Sequence, residues 1–281
     1  MMAHYADLAG KVAVITGAGR KLGLGEAMAK RLAAEGCKVV ITDIGAPAGE
    51  HLPEGAIGSS QEMLDIVAEI QAAGGEAAAV VCNVLNAAEV QAAVQFAVRR
   101  FGRLDIWVNN AGVGYLMKPI LEMDVAEWDT VLNVNLRGSF LGIKYAAEQM
   151  VKQGQGGKII NIGSQASKSA FAHASAYTTS KHGMTGLTRV AALELGCHGI
   201  NVNQICPNHI TTGLGAWQNA HFSQVTGKGY DKYMQDMRDR IPLGRPGLQQ
   251  DIAKACAFLC SDQAIYITGE AMNVSGGEEY H

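Results

Sequence analysis

The chain has 281 residues, 48% of them apolar, with 23 basic side chains against 26 acidic ones and a formal net charge of −3. No Pro/Ser-rich linker or charge block divides it, so one large α/β unit over 1–281 is expected rather than two domains. The lack of a basic stripe argues against nucleic acid, no apolar stretch reaches the ~20 residues of a membrane span, and Met-Met-Ala-His-Tyr-Ala-Asp does not read as a secretory leader.

Strands are predicted at about 11–16, 38–42, 77–82, 104–108, 158–163, 200–206 and 271–274. Helices alternate with them at about 23–35, 60–74, 87–101, 125–152, 175–198 and 249–261. Short apolar strands such as Val12 to Ile15 lack polar alternation, as expected when both faces of a sheet are covered. Repeated strand–helix–strand units with right-handed crossovers predict a single doubly wound α/β domain of the Rossmann type. Its sheet is expected to be mostly parallel and seven-stranded, with helices on both faces.

The first strand runs into Gly17-Ala18-Gly19-Arg20-Lys21-Leu22-Gly23-Leu24-Gly25 and then an Ala-rich helix. Glycine is needed where the chain turns sharply and where backbone N–H groups must approach a pyrophosphate at a helix N-terminus. Between a strand and a helix, this turn meets the context of a dinucleotide-binding fingerprint, with Gly17, Arg20, Leu22, Gly23 and Leu24 as its expected contacts. The second strand ends at Asp43, whose carboxylate can hydrogen-bond the adenosine ribose and would repel a 2′-phosphate. Arg20 and Lys21 pull the other way, since a basic residue could pair with that phosphate. NAD is therefore the expected cofactor and NADP the alternative.

Residues 45–61 form a Gly/Pro-rich insertion beside the expected adenosine site, either a cover for it, a reach to a neighbouring subunit, or a plain surface loop. Further on, Asn135 lies inside a helical stretch although Asn is a poor helix former. Ser164 closes the strand 158–163, and a serine at a strand's carboxyl end can point into the crevice where open sheets bind ligands. Tyr177 and Lys181, in Tyr-Thr-Thr-Ser-Lys, are four apart and share a helix face. A unit charge ~4 Å away at an effective dielectric of ~20 is worth about 4 kcal/mol. That equals roughly 3 pKa units, enough to bring a phenol from ~10 towards working pH. The ammonium is therefore expected to make the phenol a usable acid or base.

The six cysteines (37, 82, 197, 206, 256 and 260) and eight histidines show no metal-ligand spacing, so no metal is expected and a reducing cytoplasm is the default setting. His173 and His209 lie beside the catalytic candidates and are possible substrate contacts.

Taken together these residues resemble the short-chain dehydrogenase/reductase family over nearly the whole chain. The resemblance also rests on Asn109-Asn110-Ala111-Gly112 after a strand, on Cys206-Pro207 where the family has a Pro-Gly turn, and on Tyr266-Ile267-Thr268-Gly269 with Ser275-Gly276-Gly277 near the end. It implies a catalytic tetrad of Asn135, Ser164, Tyr177 and Lys181. By position, Tyr177 would be the general acid/base and Ser164 would hold the substrate oxygen. Lys181 would bind the nicotinamide ribose, and Asn135 would anchor a water relaying protons through Lys181. Asn110, Ala111 and Gly112 would line the adenosine ribose, with Asn83 and Val84 at the adenine, and Pro207, Ile210 and Thr212 at the nicotinamide. Residues 213–240, rich in aromatics, would form a substrate lid with Gly227-Lys228-Gly229 as a hinge. The implied reaction interconverts a secondary alcohol and a ketone. An NADPH-dependent carbonyl reductase and a non-catalytic dinucleotide sensor are the alternatives, and a homotetramer is the implied assembly.

Four departures stand out. The glycine turn is two residues longer than the family pattern, Asn83 replaces an Asp, Asn208 replaces a glycine after Pro207, and Ser275 stands where Asp is common.

Overall fold

The computed structural model describes residues 5–46 and 58–280. Seven strands form one sheet in the order β3-β2-β1-β4-β5-β6-β7, with every neighbouring pair parallel. They are β1 (Val12–Thr16), β2 (Lys38–Asp43), β3 (Glu76–Val81), β4 (Ile106–Asn109), β5 (Gly157–Ile162), β6 (Ile200–Pro207) and β7 (Ala271–Val274). Because successive side chains of a strand point to opposite faces, Val12 and Val14 of β1 join one core and Ala13 and Ile15 the other, all four fully buried.

The helices are α1 (Leu24–Ala34), α2 (Ser60–Ala72), α3 (Ala87–Phe101), α4 (Val125–Leu132), α5 (Gly138–Gln153), α6 (Ser175–Leu195), α7 (Gly213–Val225), α8 (Tyr230–Arg240) and α9 (Gln249–Cys260). Met28 and Leu32 of α1 and Ile252 and Cys256 of α9 cover the first face, beside Met63 and Ile66 of α2. Val90 and Val94 of α3, Leu141 and Met150 of α5 and Ala191 of α6 cover the second, around a fully buried Trp107. Both faces are thus closed, and the apolar runs read from the sequence are buried on each side.

Strand order reverses between β1 and β4, which opens a crevice beyond their carboxyl ends. Short polar side chains fix its walls. The Thr16 hydroxyl accepts from Asn110 N (3.0 Å) and Ala111 N (3.1 Å) and donates to Val108 O (3.2 Å). Asn110 Nδ2 in turn donates to the carbonyls of Thr16 and Gly17, each at 2.8 Å. Deeper down, Asn109 bonds Asn161 (2.8 Å) and Asn161 bonds Thr188 (2.8 Å), tying β4 through β5 to α6.

The helix expected over 125–152 is two helices joined by a π-helical turn at Asn133–Arg137, with Asn135 at its centre. The helix expected over 175–198 ends at Leu195 and tightens into a 3₁₀ turn at Gly196–His198. The expected insertion at 45–61 falls mostly on 47–57, outside the described residues. At its ends, Ser60 bonds the Gly45 carbonyl through both N (2.9 Å) and Oγ (3.0 Å), and Ser59 with Glu62 forms a capping box for α2.

Candidate active site

Two adjoining cavities lie at the carboxyl edge of the sheet. The larger, of about 510 Å³, runs from Asp43, Asn83 and Val84 past Gly17, Arg20, Leu22, Gly23, Leu24 and Asn110 to Gly112, ending at Tyr177 and Lys181. The second, of about 430 Å³, begins at Ser164 and Tyr177 and continues between Pro207, Ile210, Phe171 and Phe222 to Arg240 and Glu278. Tyr177, Leu24, Thr212 and Leu214 line both.

The first cavity is built for close backbone approach. Gly17 has φ +62, and a Cβ there would sit 2.6 Å from the Cα of Ala111, so the turn after β1 and the turn after β4 meet backbone to backbone. The longer turn is accommodated by Leu22, which takes φ +58 with its side chain outside and gives its carbonyl to Gln249 (3.0 Å). Asp43 receives Gly19 N on one oxygen and Ile44 N on the other, both at 2.9 Å. Burial nevertheless pushes its carboxyl above the usual range. The two basic residues of the turn point elsewhere. Lys21 reaches Glu69 (3.0 Å) and Asp65 (3.8 Å) on α2, and Arg20 donates to the Tyr115 hydroxyl (2.6 Å). A glycine cradle, an acceptor pair at the ribose end and a helix N-terminus between them fit a dinucleotide.

Tyr177 and Lys181 occupy successive turns of α6 and are 8% and 5% exposed, so both face the interior rather than solvent. Lys181 Nζ donates to the Ile162 carbonyl (2.7 Å) and stands 5.7 Å from the Tyr177 ring centroid. Ser164, which follows β5, lines the second cavity together with the phenol, and its hydroxyl accepts from Ala166 N (3.2 Å). Asn135 is completely buried and lines neither cavity. Its Oδ1 accepts from Val113 N (2.7 Å), and its Nδ2 donates to Val113 O (3.0 Å) and Ser180 Oγ (3.0 Å). A Cβ on Gly112 would lie 3.3 Å from Asn135 Oδ1 and 3.8 Å from Lys181 Nζ, so Gly112 separates the two.

A family model described as "Enoyl-(Acyl carrier protein) reductase" matches residues 17–279. A short-chain dehydrogenase/reductase of Armillaria gallica is 37% identical over 276 residues, 98% of each chain. The 3-oxoacyl-acyl-carrier-protein reductase of Staphylococcus aureus is 37% identical over 267 residues, 95% of this chain and 97% of its own. The crystal structure of levodione reductase superimposes with a TM-score of 0.84 at 33% identity, covering 96% of this chain and 98% of its own. The chain belongs to the short-chain dehydrogenase/reductase family.

Within this short-chain dehydrogenase/reductase, one electrostatic expectation needs correction. Burial pushes the Tyr177 phenol above its ordinary value, and the group that pulls it down is the Ser164 hydroxyl rather than the Lys181 ammonium. Burial also pushes Lys181 down to about 8. Two groups removed from water by the same core both resist charging, and one of the three ammonium donors goes to the Ile162 carbonyl.

At the other end of the family cleft, the Asn83 side chain accepts from Leu85 N (3.0 Å) and Val84 is buried against Gly138. The Thr212 hydroxyl accepts from Gly215 N (3.0 Å), capping α7, and Ile210 is buried with its carbonyl bonded to Thr212 N (2.8 Å). His209 lines the second cavity and lies 3.2 Å from Glu278 Oε2, whereas His173 meets His221 (ring centroids 5.8 Å apart) outside both cavities. Ser180, Tyr115 and Glu278 are additions that sequence reasoning missed. Ser180 was signalled by its i+3 position from Tyr177, whose carbonyl it bonds at 2.7 Å. Glu278 gave no signal, because it meets Asn208 (2.7 Å), His209 and Arg240 (2.9 Å) only through the fold.

Proposed function

We propose that the protein interconverts a secondary alcohol and a ketone with NAD(H), using Tyr177 as general acid/base. The observation that carries this reading is the place of the phenol, which lines both the cleft fitted to a dinucleotide and the cavity beside it. A bound nicotinamide dinucleotide supplies the hydride acceptor or donor. In oxidation, the Tyr177 phenolate takes the hydroxyl proton, while Ser164 holds the substrate oxygen. In reduction, the phenol returns it. Lys181 holds the nicotinamide ribose and, with its proton affinity lowered to about 8, gives up its proton more readily than an ordinary lysine. Asn135 braces Val113 with its side-chain amide, and a relay water shares its main-chain carbonyl with the Ser139 hydroxyl (2.7 Å).

NAD is preferred over NADP because the Asp43 carboxylate faces the ribose end while Lys21 is paired on α2 and Arg20 is turned to Tyr115. The 213–240 segment serves as the lid, its two helices joined through Gly227 and Gly229 at φ +65 and +71. Phe171, Phe222, Ile210 and Leu214 give the substrate cavity an apolar wall. A homotetramer is supported by exposed Phe140, Val190 and Leu193 on α5 and α6 and by the fully exposed Tyr266 beyond them. Six free cysteines suit a reducing cytoplasm.

The test is NADH formation across sugar, steroid, aromatic and aliphatic secondary alcohols, repeated with Tyr177→Phe. Turnover of some member of the panel, lost in the variant while NAD still binds, supports the reading. Tight NAD binding with no turnover of any alcohol or ketone would instead favour a sensor.

A further inference from the structure

Arg20 sits where three parts of the cleft meet. Its Nη1 donates to the Tyr115 hydroxyl at 2.6 Å. A Cβ built on Gly213, the first residue of α7, would lie 2.2 Å from its Nη2, so the guanidinium packs against the lid backbone itself. Tyr115 carries the contact onward, its ring meeting Trp217 edge-on with centroids 5.4 Å apart. Trp217 stacks on His221 at 5.2 Å. Next to Tyr115, a Cβ on Gly114 would touch both Leu214 and Tyr177 at 3.1 Å. A continuous path thus joins the glycine turn, the first two turns of α7 and the ring of the general acid/base.

Charge gives that path a purpose. Among the described residues lining the first cavity the cations are Arg20 and Lys181. Lys181 belongs to the phenol end, and Arg20 lies near the start of α1, where a helix N-terminus favours phosphate. A guanidinium has five N–H donors in a planar fork that matches phosphate oxygens.

We propose that Arg20 is a positioning residue that ties the diphosphate of a bound dinucleotide to the 213–240 lid through Tyr115 and Gly213. Dinucleotide binding and docking of α7 on the Val113–Tyr115 loop are then one event. The proposal rests on the cleft being a dinucleotide site. It assigns Arg20 to the diphosphate and not to a 2′-phosphate.

The experiment titrates wild type, Arg20→Met and Tyr115→Phe with NAD, NADP, ADP-ribose and adenosine by calorimetry, and follows amide exchange of 213–225 with and without ADP-ribose. Arg20→Met is expected to weaken NAD and ADP-ribose alike by about tenfold or more, with adenosine changed less than about twofold. ADP-ribose is expected to protect 213–225 in wild type but not in Arg20→Met. Tyr115→Phe should weaken ADP-ribose by the same factor by which its protection of 213–225 falls, because the coupling is reciprocal. Unchanged ADP-ribose affinity in Arg20→Met, a loss confined to NADP, an equal loss for adenosine, or full protection in both variants would each overturn the proposal. A wild type that binds no dinucleotide would remove the reading of the cleft as well, whereas binding that ignores Arg20 removes the proposal alone.

Discussion

The two cavities are built from different materials. Around the first, the chain uses backbone and short polar side chains: Gly17 against Ala111, Thr16 and Asn110 clasping two turns, Asp43 holding Gly19. Around the second it uses long aromatic and charged side chains on α7, α8 and the C-terminal segment, such as Phe222, Tyr233, Arg240 and Glu278. Backbone approach restricts each position to one or two residue types, so the first region tolerates little change. Side-chain walls accept many solutions, so the second is where relatives can differ in what they admit.

That contrast is open to attack in order of expected effect. Lys181→Met, on the rigid side, is expected to lower kcat/KM for alcohol oxidation by about 10²–10⁴-fold in steady-state kinetics. A change below about threefold would show that the ammonium is not part of the proton path. Asp43→Ser should raise kcat/KM with NADP relative to NAD by about tenfold or more, since it removes a like charge from the site of the 2′-phosphate. An unaltered ratio there would separate Asp43 from the ribose.

The smallest effect lies on the side-chain-built region. Burial raises Glu278, but the hydrogen bonds from His209 and Arg240 outweigh it and hold the carboxyl at about 2 against an ordinary 4.5. A carboxylate depressed in the folded state adds stability that is complete above its unfolded value and fades as pH falls towards its folded one. Glu278→Gln should therefore cost about 1 kcal/mol at neutral pH, allowing for the half-exposed Arg240 partner. The difference from wild type in denaturant melts should shrink between about pH 4.5 and about pH 2. A constant difference across that window would assign the loss to packing instead.

The same contrast explains what could be read from the sequence. The seven-stranded doubly wound sheet, its parallel pairing and the turns after β1 and β4 follow from apolar runs and from glycine and asparagine placed where only they fit. Asn135 was visible as a poor helix former, but not the π-helical turn that answers it, because that turn depends on Val113 and Ser180 arriving from other elements. The Tyr177–Lys181 spacing placed both groups on one face correctly. It could not show that both are buried, and burial raises the phenol where the spacing alone predicted a fall, while lowering the lysine. The clasp of Asn208, His209, Arg240 and Glu278 joins three distant segments and left no trace in spacing.

The central claim is that one buried phenol handles the proton at the junction of the two cavities. The most direct test is kcat/KM for alcohol oxidation against pH, in wild type and Tyr177→Phe, with NAD binding checked alongside. Because burial holds the phenol above its ordinary value, wild type should gain about tenfold per pH unit on its rising limb, with Tyr177→Phe losing that limb while still binding NAD. A Tyr177→Phe enzyme that keeps the same rising limb would contradict the account.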